Sequence, residues 1–196
     1  YFLKKHRPDL TFRILEKREV YTHDRYWSFW FNRQNKFEFN NLIEKIYISW
    51  SVNQQNVSAD EYDYATIGSG SFYRFMADTL KGHIVYGAVP EKVHQSKVKL
   101  DGETLAATKV FSSVPETQKI TDGLWQKFYG WQVKTGNPVF DPEKATIMDF
   151  FSRQPGGAFG FYYVLPFSQH EALIEPTVFS RTGDEEKSYF EAARDA

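Results

Sequence analysis

The chain has no cysteine, which excludes disulfides, thiolate catalysis and cysteine-ligated metal and suits a reducing compartment. Its apolar runs all fall well short of the roughly 20 residues of a membrane span, and no signal-peptide pattern is visible. Neither sign of charge is in excess. With 24 Lys and Arg against 25 Asp and Glu, nothing favours nucleic acid or another polyanion. The five His lack metal-ligand spacing, so no metal site is expected. No internal repeat, low-complexity tract or long charge run breaks the chain. Gly68-Ser69-Gly70-Ser71 misses the G-x-S-x-G order of a nucleophile elbow and reads as a helix cap. Asn56-Val57-Ser58 fits a glycosylation acceptor but reads as a polar loop.

What the chain does have is aromatic mass, 18 Phe, 12 Tyr and 5 Trp. One carboxylate also stands out. Tyr162-Tyr163-Val164-Leu165 reads as a strand, Pro166–Glu171 as a turn, and Ala172–Phe179 as a second strand. Glu175 lies inside this apolar hairpin. An ionised Glu among Leu173, Ile174, Val178 and Phe179 costs several kcal/mol. Two readings follow: a structural Glu paired with an Arg, or a carboxyl that holds its proton unusually high and serves as an acid. Pro176 extends the backbone at Glu175 and donates nothing to a ladder, which predicts an edge or a bulge. Asp149, flanked by Ile147, Met148, Phe150 and Phe151, is a second candidate acid, and Asp141 a turn former. A glycosidase-like carboxylate pair, with aromatic sugar platforms, stays open on these residues.

Elsewhere the pattern is mixed α/β. Tyr1–Lys5 reads as the tail of a helix and Leu10–Leu15 as a strand ending in Glu16, an order found in the second half of a dinucleotide-binding βαβ unit. The glycine fingerprint that should precede it is missing. Tyr26–Phe31 reads as a buried strand or loop core. Ile46, Ile48 and Trp50 alternate with Tyr47 and Ser49, as in a half-buried strand. Phe72, Phe75, Met76, Thr79 and Leu80 mark one face of a helix with Ser69 or Ser71 as cap and Gly82 past its end. Ile84–Tyr86 starts another strand. Asp101-Gly102 predicts a hairpin between 97–100 and 103–108, with Lys109–Phe111 continuing as strand. Asp184-Glu185-Glu186 reads as a helix start. Both ends look cut, so the chain is expected to be an interior piece.

Taken together, Asp24-Arg25-Tyr26-Trp27-Ser28-Phe29-Trp30, Ser71-Phe72-Tyr73, Gly130-Trp131, Pro138-Val139-Phe140-Asp141-Pro142, Met148-Asp149-Phe150, Tyr163-Val164-Leu165-Pro166-Phe167-Ser168 and Ala172-Leu173-Ile174-Glu175 with Thr177 resemble the bacterial lycopene β-cyclases over nearly the whole chain. The resemblance implies an FAD-binding Rossmann-type domain interleaved with a strand-rich substrate domain. The N-terminal glycine loop and a C-terminal part would be missing. The implied boundaries are 1–35 and 69–115 for the flavin domain, 36–68 and 116–182 for the substrate region, and 183–196 for the start of a helix. It further implies Glu175 and Asp149 as catalytic residues, Glu16, Arg25 and Trp27 as cofactor-binding, and Tyr162 and Tyr163 as cavity lining. Three departures stand out: Phe151 replaces a frequent Arg, Pro176 a frequently acidic or aromatic residue, and Val110–Ser113 a turn that often carries Asp.

The reaction so implied is an isomerisation: lycopene, dissolved in the membrane, is cyclised to the β-rings of γ- or β-carotene with no net redox change. Reduced FAD, renewed by NAD(P)H, would support it. The protein would be cytoplasmic and peripheral to the inner face of the membrane. A flavin-dependent monooxygenase or reductase of the same fold, or an aromatic-rich binding module without catalysis, are the rival readings.

Overall fold

A computed structural model describes residues 1–35, 37–114, 123–151 and 158–181. In chain order the elements begin with α1 (Phe2–His6), β1 (Ile14–Glu16), β2 (Tyr26–Asn32), β3 (Lys45–Tyr47), β4 (Ser49–Val52), β5 (Gln55–Val57), β6 (Tyr62–Gly68), α2 (Ser69–Thr79) and β7 (Ile84–Tyr86). They continue with β8 (Lys92–Val93), β9 (Lys97–Leu100), β10 (Glu103–Ala106), β11 (Trp125–Phe128), β12 (Trp131–Lys134), β13 (Lys144–Phe150), β14 (Ala158–Pro166) and β15 (Glu171–Ser180). The fold is mixed α/β with strands predominating. The described chain divides into two compact units that alternate along the sequence, residues 1–26 with 68–114 and residues 27–67 with 123–151 and 158–181.

In the first unit β1 and β7 pair in parallel, with Glu16 opposite Tyr86. The strand that ends in Glu16 begins only at Ile14, four residues later than the sequence suggests. The apolar stripe of α2 is half-buried, and Leu80 after it is buried. Gly68, not a serine, occupies the N-cap position. Ser69 is instead fully buried. Its Oγ accepts the N–H groups of Asp24 at 2.9 Å and Arg25 at 3.2 Å, tying the helix start to the preceding loop. Asp101 and Gly102 take positive φ values of 51° and 81°, as a two-residue hairpin between β9 and β10 requires. Lys109–Phe111 is not strand. Phe111 is 88% exposed, and the Val110 N–H bonds the Gln95 carbonyl, so the extension stops at the hairpin.

The second unit holds a seven-stranded sheet in the order β11-β15-β14-β13-β4-β5, with β12 also on β15, and a three-stranded sheet β2-β6-β3. Every pairing in the large sheet is antiparallel except β13 with β4. Tyr47 and Tyr64 from the small sheet pack with Ala145, Ile147 and Leu165 of the large one, and Tyr163 and Leu173 border this core. The alternation expected around Tyr47 is inverted. Tyr47 is 0% exposed while Ile46 and Ile48 are 44% and 49% exposed. The run also splits at Ile48, so that β3 and β4 join different sheets. Tyr47 takes the core position against Tyr64, Ala145, Ile147 and Leu165, and the isoleucines turn outward. The hairpin at β14 and β15 is longer than the sequence suggests, pairing Ala158 with Ser180 through Pro166 with Ala172. The acidic stretch at 184–186 lies outside the described residues.

Candidate active site

Register decides what surrounds Glu175. Tyr163 pairs directly with Glu175 across β14 and β15, so both side chains stand on one face of the sheet. Leu165 opposite Leu173 and Phe161 opposite Thr177 share that face, and it is the face turned to the Tyr47–Tyr64 core. Rings run along it: Phe161 lies 5.3 Å from Tyr163 and 6.0 Å from Phe159 between centroids. Phe150 lies 5.1 Å from Phe159. Glu175 is half-buried within this apolar strip. Among the described residues no Lys or Arg forms an ion pair with it. Burial raises its pKa above the ordinary carboxylate range. Tyr163 is raised by burial and then by the Glu175 charge. Tyr64 is pushed up to about 12, by burial first. Both phenols therefore stay neutral beside the carboxyl. Thr177, two residues along the same face, is 0% exposed, and its Oγ1 has no hydrogen-bond partner among the described residues.

Pro176 shapes the outer side of this site. Its carbonyl accepts the Tyr129 N–H at 3.2 Å. In a strand the N–H and C=O of one residue point the same way, so the donor that proline lacks would also have faced this neighbour. The neighbouring edge is interrupted there: β11 ends with Phe128 opposite Thr177, and β12 begins with Trp131 opposite Ile174. The proline thus sits in an interior strand, opposite a break in its partner.

Asp149 does not join Glu175. It pairs with Tyr162, on the face of Val164, Ile174 and Pro176, after a register shift in β13 that follows Thr146. The two acids therefore stand on opposite faces, and the same parity separates Tyr162 from Tyr163. One Asp149 oxygen, Oδ1, is buried without a hydrogen-bond partner among the described residues. Burial and then the Asp149 charge raise Tyr162.

In the first unit Glu16 accepts from the Arg18 backbone N–H at 2.8 Å, Arg18 Nε at 3.2 Å and the Tyr21 hydroxyl at 2.8 Å. The Arg18 side chain holds the Glu16 pKa down to about 2. Arg18 also reaches Asp24 Oδ2 at 3.6 Å, and Arg25 bonds the same oxygen at 2.7 Å. Glu16 and Arg25 thus belong to one charge network. Trp27 lies in the other unit and is partly exposed. Tyr21 and Tyr73 stack at 4.3 Å, with the Arg18 guanidinium over both rings at 4.5 and 5.0 Å. A cleft of about 510 Å³ beside them is lined by Glu19, Tyr21, Gly70, Tyr73, Arg74 and Tyr86 among others. Arg18 and Tyr21 lie in none of the motifs that carry the resemblance, whereas Tyr73 lies in Ser71-Phe72-Tyr73. The loop after β1 supplies Arg18 and Tyr21, and helix α2 brings the Tyr73 hydroxyl to Arg18.

An ionised acid at the end of a parallel strand, beside aromatic walls, suits the ribose and base of a dinucleotide. The residues fit the adenosine half of such a group, although Arg18 and Tyr21 already occupy the Glu16 oxygens and a ribose must share them. No group of metal-ligating side chains occurs among the described residues. The profile of the lycopene cyclase protein family matches residues 3–193. No curated protein matches the chain.

Proposed function

The chain belongs to the lycopene cyclase protein family, whose members cyclise lycopene, and from that premise we propose an acid-catalysed β-cyclisation centred on Glu175. The observation that carries this reading is a carboxyl with no cationic ion-pair partner among the described residues, set in an aromatic strip, whose pKa burial raises. A neutral acid in a low-dielectric site is suited to protonating a hydrocarbon. The Glu175 O–H bond breaks as a C–H bond forms at the terminal double bond of the polyene, leaving a tertiary cation. The next suitably placed double bond attacks that cation and closes a six-membered ring. Loss of a ring proton to the Glu175 carboxylate then forms the ring double bond and restores the acid. One proton enters and one leaves, so this is an isomerisation (an intramolecular lyase reaction) giving γ- or β-carotene.

Tyr163 and Phe161 share the face of Glu175, and their π density is proposed to favour a passing cation. Asp149, on the opposite face, takes no proton step in this scheme. Glu16, with Arg25 in the same network, is proposed to hold the ribose of FAD, and Trp27 to serve flavin binding in the assembled protein. Reduced flavin, renewed by NAD(P)H, supplies electron density that stabilises positive charge when bound. No described helix is long and apolar enough to cross a membrane. Because the substrate dissolves in lipid, peripheral contact with the cytoplasmic face of the membrane is part of the proposal. Expression of the complete protein in lycopene-accumulating cells tests it. Ring-containing pigment of unchanged mass supports the reading, and an oxygenated or hydrogenated product overturns it.

A further inference from the structure

Glu175 has neighbours on its own face along β15, at Leu173 and Thr177, and across β14, at Tyr163. On the remaining side, where the edge of the sheet should supply a side chain, stands Gly130. A Cβ built on Gly130 would come within 3.1 Å of Leu173 Cδ1 and 3.8 Å of Glu175 Oε2. That places the bare position on the carboxyl's own face. Gly130 is exposed, and its backbone does not take a positive φ, so turn geometry does not demand glycine there. The break between β11 and β12, opposite the proline that cannot donate, falls at Tyr129 and Gly130. Phe128, on the same face beside Thr177, is 60% exposed and forms an apolar shoulder to the opening.

We infer that Gly130 is the entry and size-determining position through which the branched hydrocarbon end of the polyene reaches Glu175. This inference rests on the acid role proposed for Glu175. Absence of a side chain at Gly130 leaves the carboxyl approachable from the sheet edge, while Leu173 and Phe128 bound the lane with apolar surface. A larger residue at 130 fills the lane and contacts Leu173 and the Glu175 carboxyl directly, while the pairing of Glu175 with Tyr163 is left in place.

The test uses the complete protein with lycopene in phosphatidylcholine vesicles and compares Gly130→Ala and Gly130→Val, each alone and combined with Leu173→Ala. The expected result is a stepwise fall in kcat/KM with side-chain size, reaching on the order of 10²-fold for Gly130→Val, as for other misplacements of about 1 Å at a reacting centre. The loss appears more in KM than in kcat, and thermal midpoints stay close to wild type. Trimming Leu173 removes the crowding at its methyl group. Any stability lost by Gly130→Val should therefore return in the double variant, while kcat/KM stays low relative to Leu173→Ala alone. An unchanged kcat/KM in Gly130→Val, or its full return on trimming Leu173, overturns the inference. Glu175→Gln separates the two levels: an inactive Glu175→Gln beside a fully active Gly130→Val sinks only the entry role, whereas a fully active Glu175→Gln sinks the acid role and the entry role with it.

Discussion

A carboxyl whose pKa is raised by burial leaves a signature in stability as well as in catalysis. The Glu175 pKa is raised above its ordinary value of 4.5, so the folded chain binds a proton more tightly than the unfolded chain. Its contribution to stability is therefore least unfavourable below the unfolded value and worsens as pH climbs from there through the folded value. Glu175→Gln removes this cost. The variant should melt higher than wild type at about pH 8, with the gap closing toward about pH 4. Thermal scans across that range check it, and a variant that melts lower at high pH contradicts it. Glu16 behaves in the opposite sense. Its pKa is held down to about 2 by Arg18, so its contribution is present above the ordinary value of 4.5 and fades as pH falls toward 2. After solvent screening, Glu16→Gln should cost about 1 kcal/mol at neutral pH and almost nothing in strong acid. Asp149→Asn, on the far face, should retain cyclisation provided the sheet folds, which pigment analysis reads directly.

At the scale of elements, the hairpin of β14 and β15 carries the site. Gly160 packs directly against the Phe151 ring. A Cβ there would meet the Phe151 ring at 2.3 to 2.5 Å, so Gly160→Ala must displace that ring. Such overpacking should destabilise by about 1–3 kcal/mol, seen as a lower denaturant midpoint. Much of this element was readable from residues alone, because two apolar β-rich runs flank a Pro–Ser–His turn and admit few other pairings. The extra residues at each strand end were not, since cross-strand bonding and not side-chain pattern extends them. Pro176 was read as an edge or bulge signal, and the physical cause was right while its location was not: the interruption lies in the partner strand. The separation of Asp149 from Glu175 was hidden because one inserted residue in β13 reverses the parity of everything after it. The outward turn of Ile46 and Ile48 was hidden for a related reason, as Tyr47 takes the core position. The Arg18, Tyr21 and Tyr73 cluster was illegible because its members are brought together only by folding.

At the scale of the whole molecule, the chain alternates between two units, one with an ionic, tyrosine-lined cleft and one with an apolar acid site whose carboxyl has no ion-pair partner among the described residues. That division suits the proposed combination of a polar cofactor with a hydrocarbon substrate. The central claim is that Glu175 supplies the proton for ring closure. The most direct measurement expresses wild type and Glu175→Gln of the complete protein, at matched levels, in lycopene-accumulating cells and resolves the pigments by chromatography and mass. Ring-bearing carotene of unchanged mass from wild type, with lycopene alone remaining beside a folded Glu175→Gln variant, is the predicted result. Undiminished ring formation by that variant would contradict it.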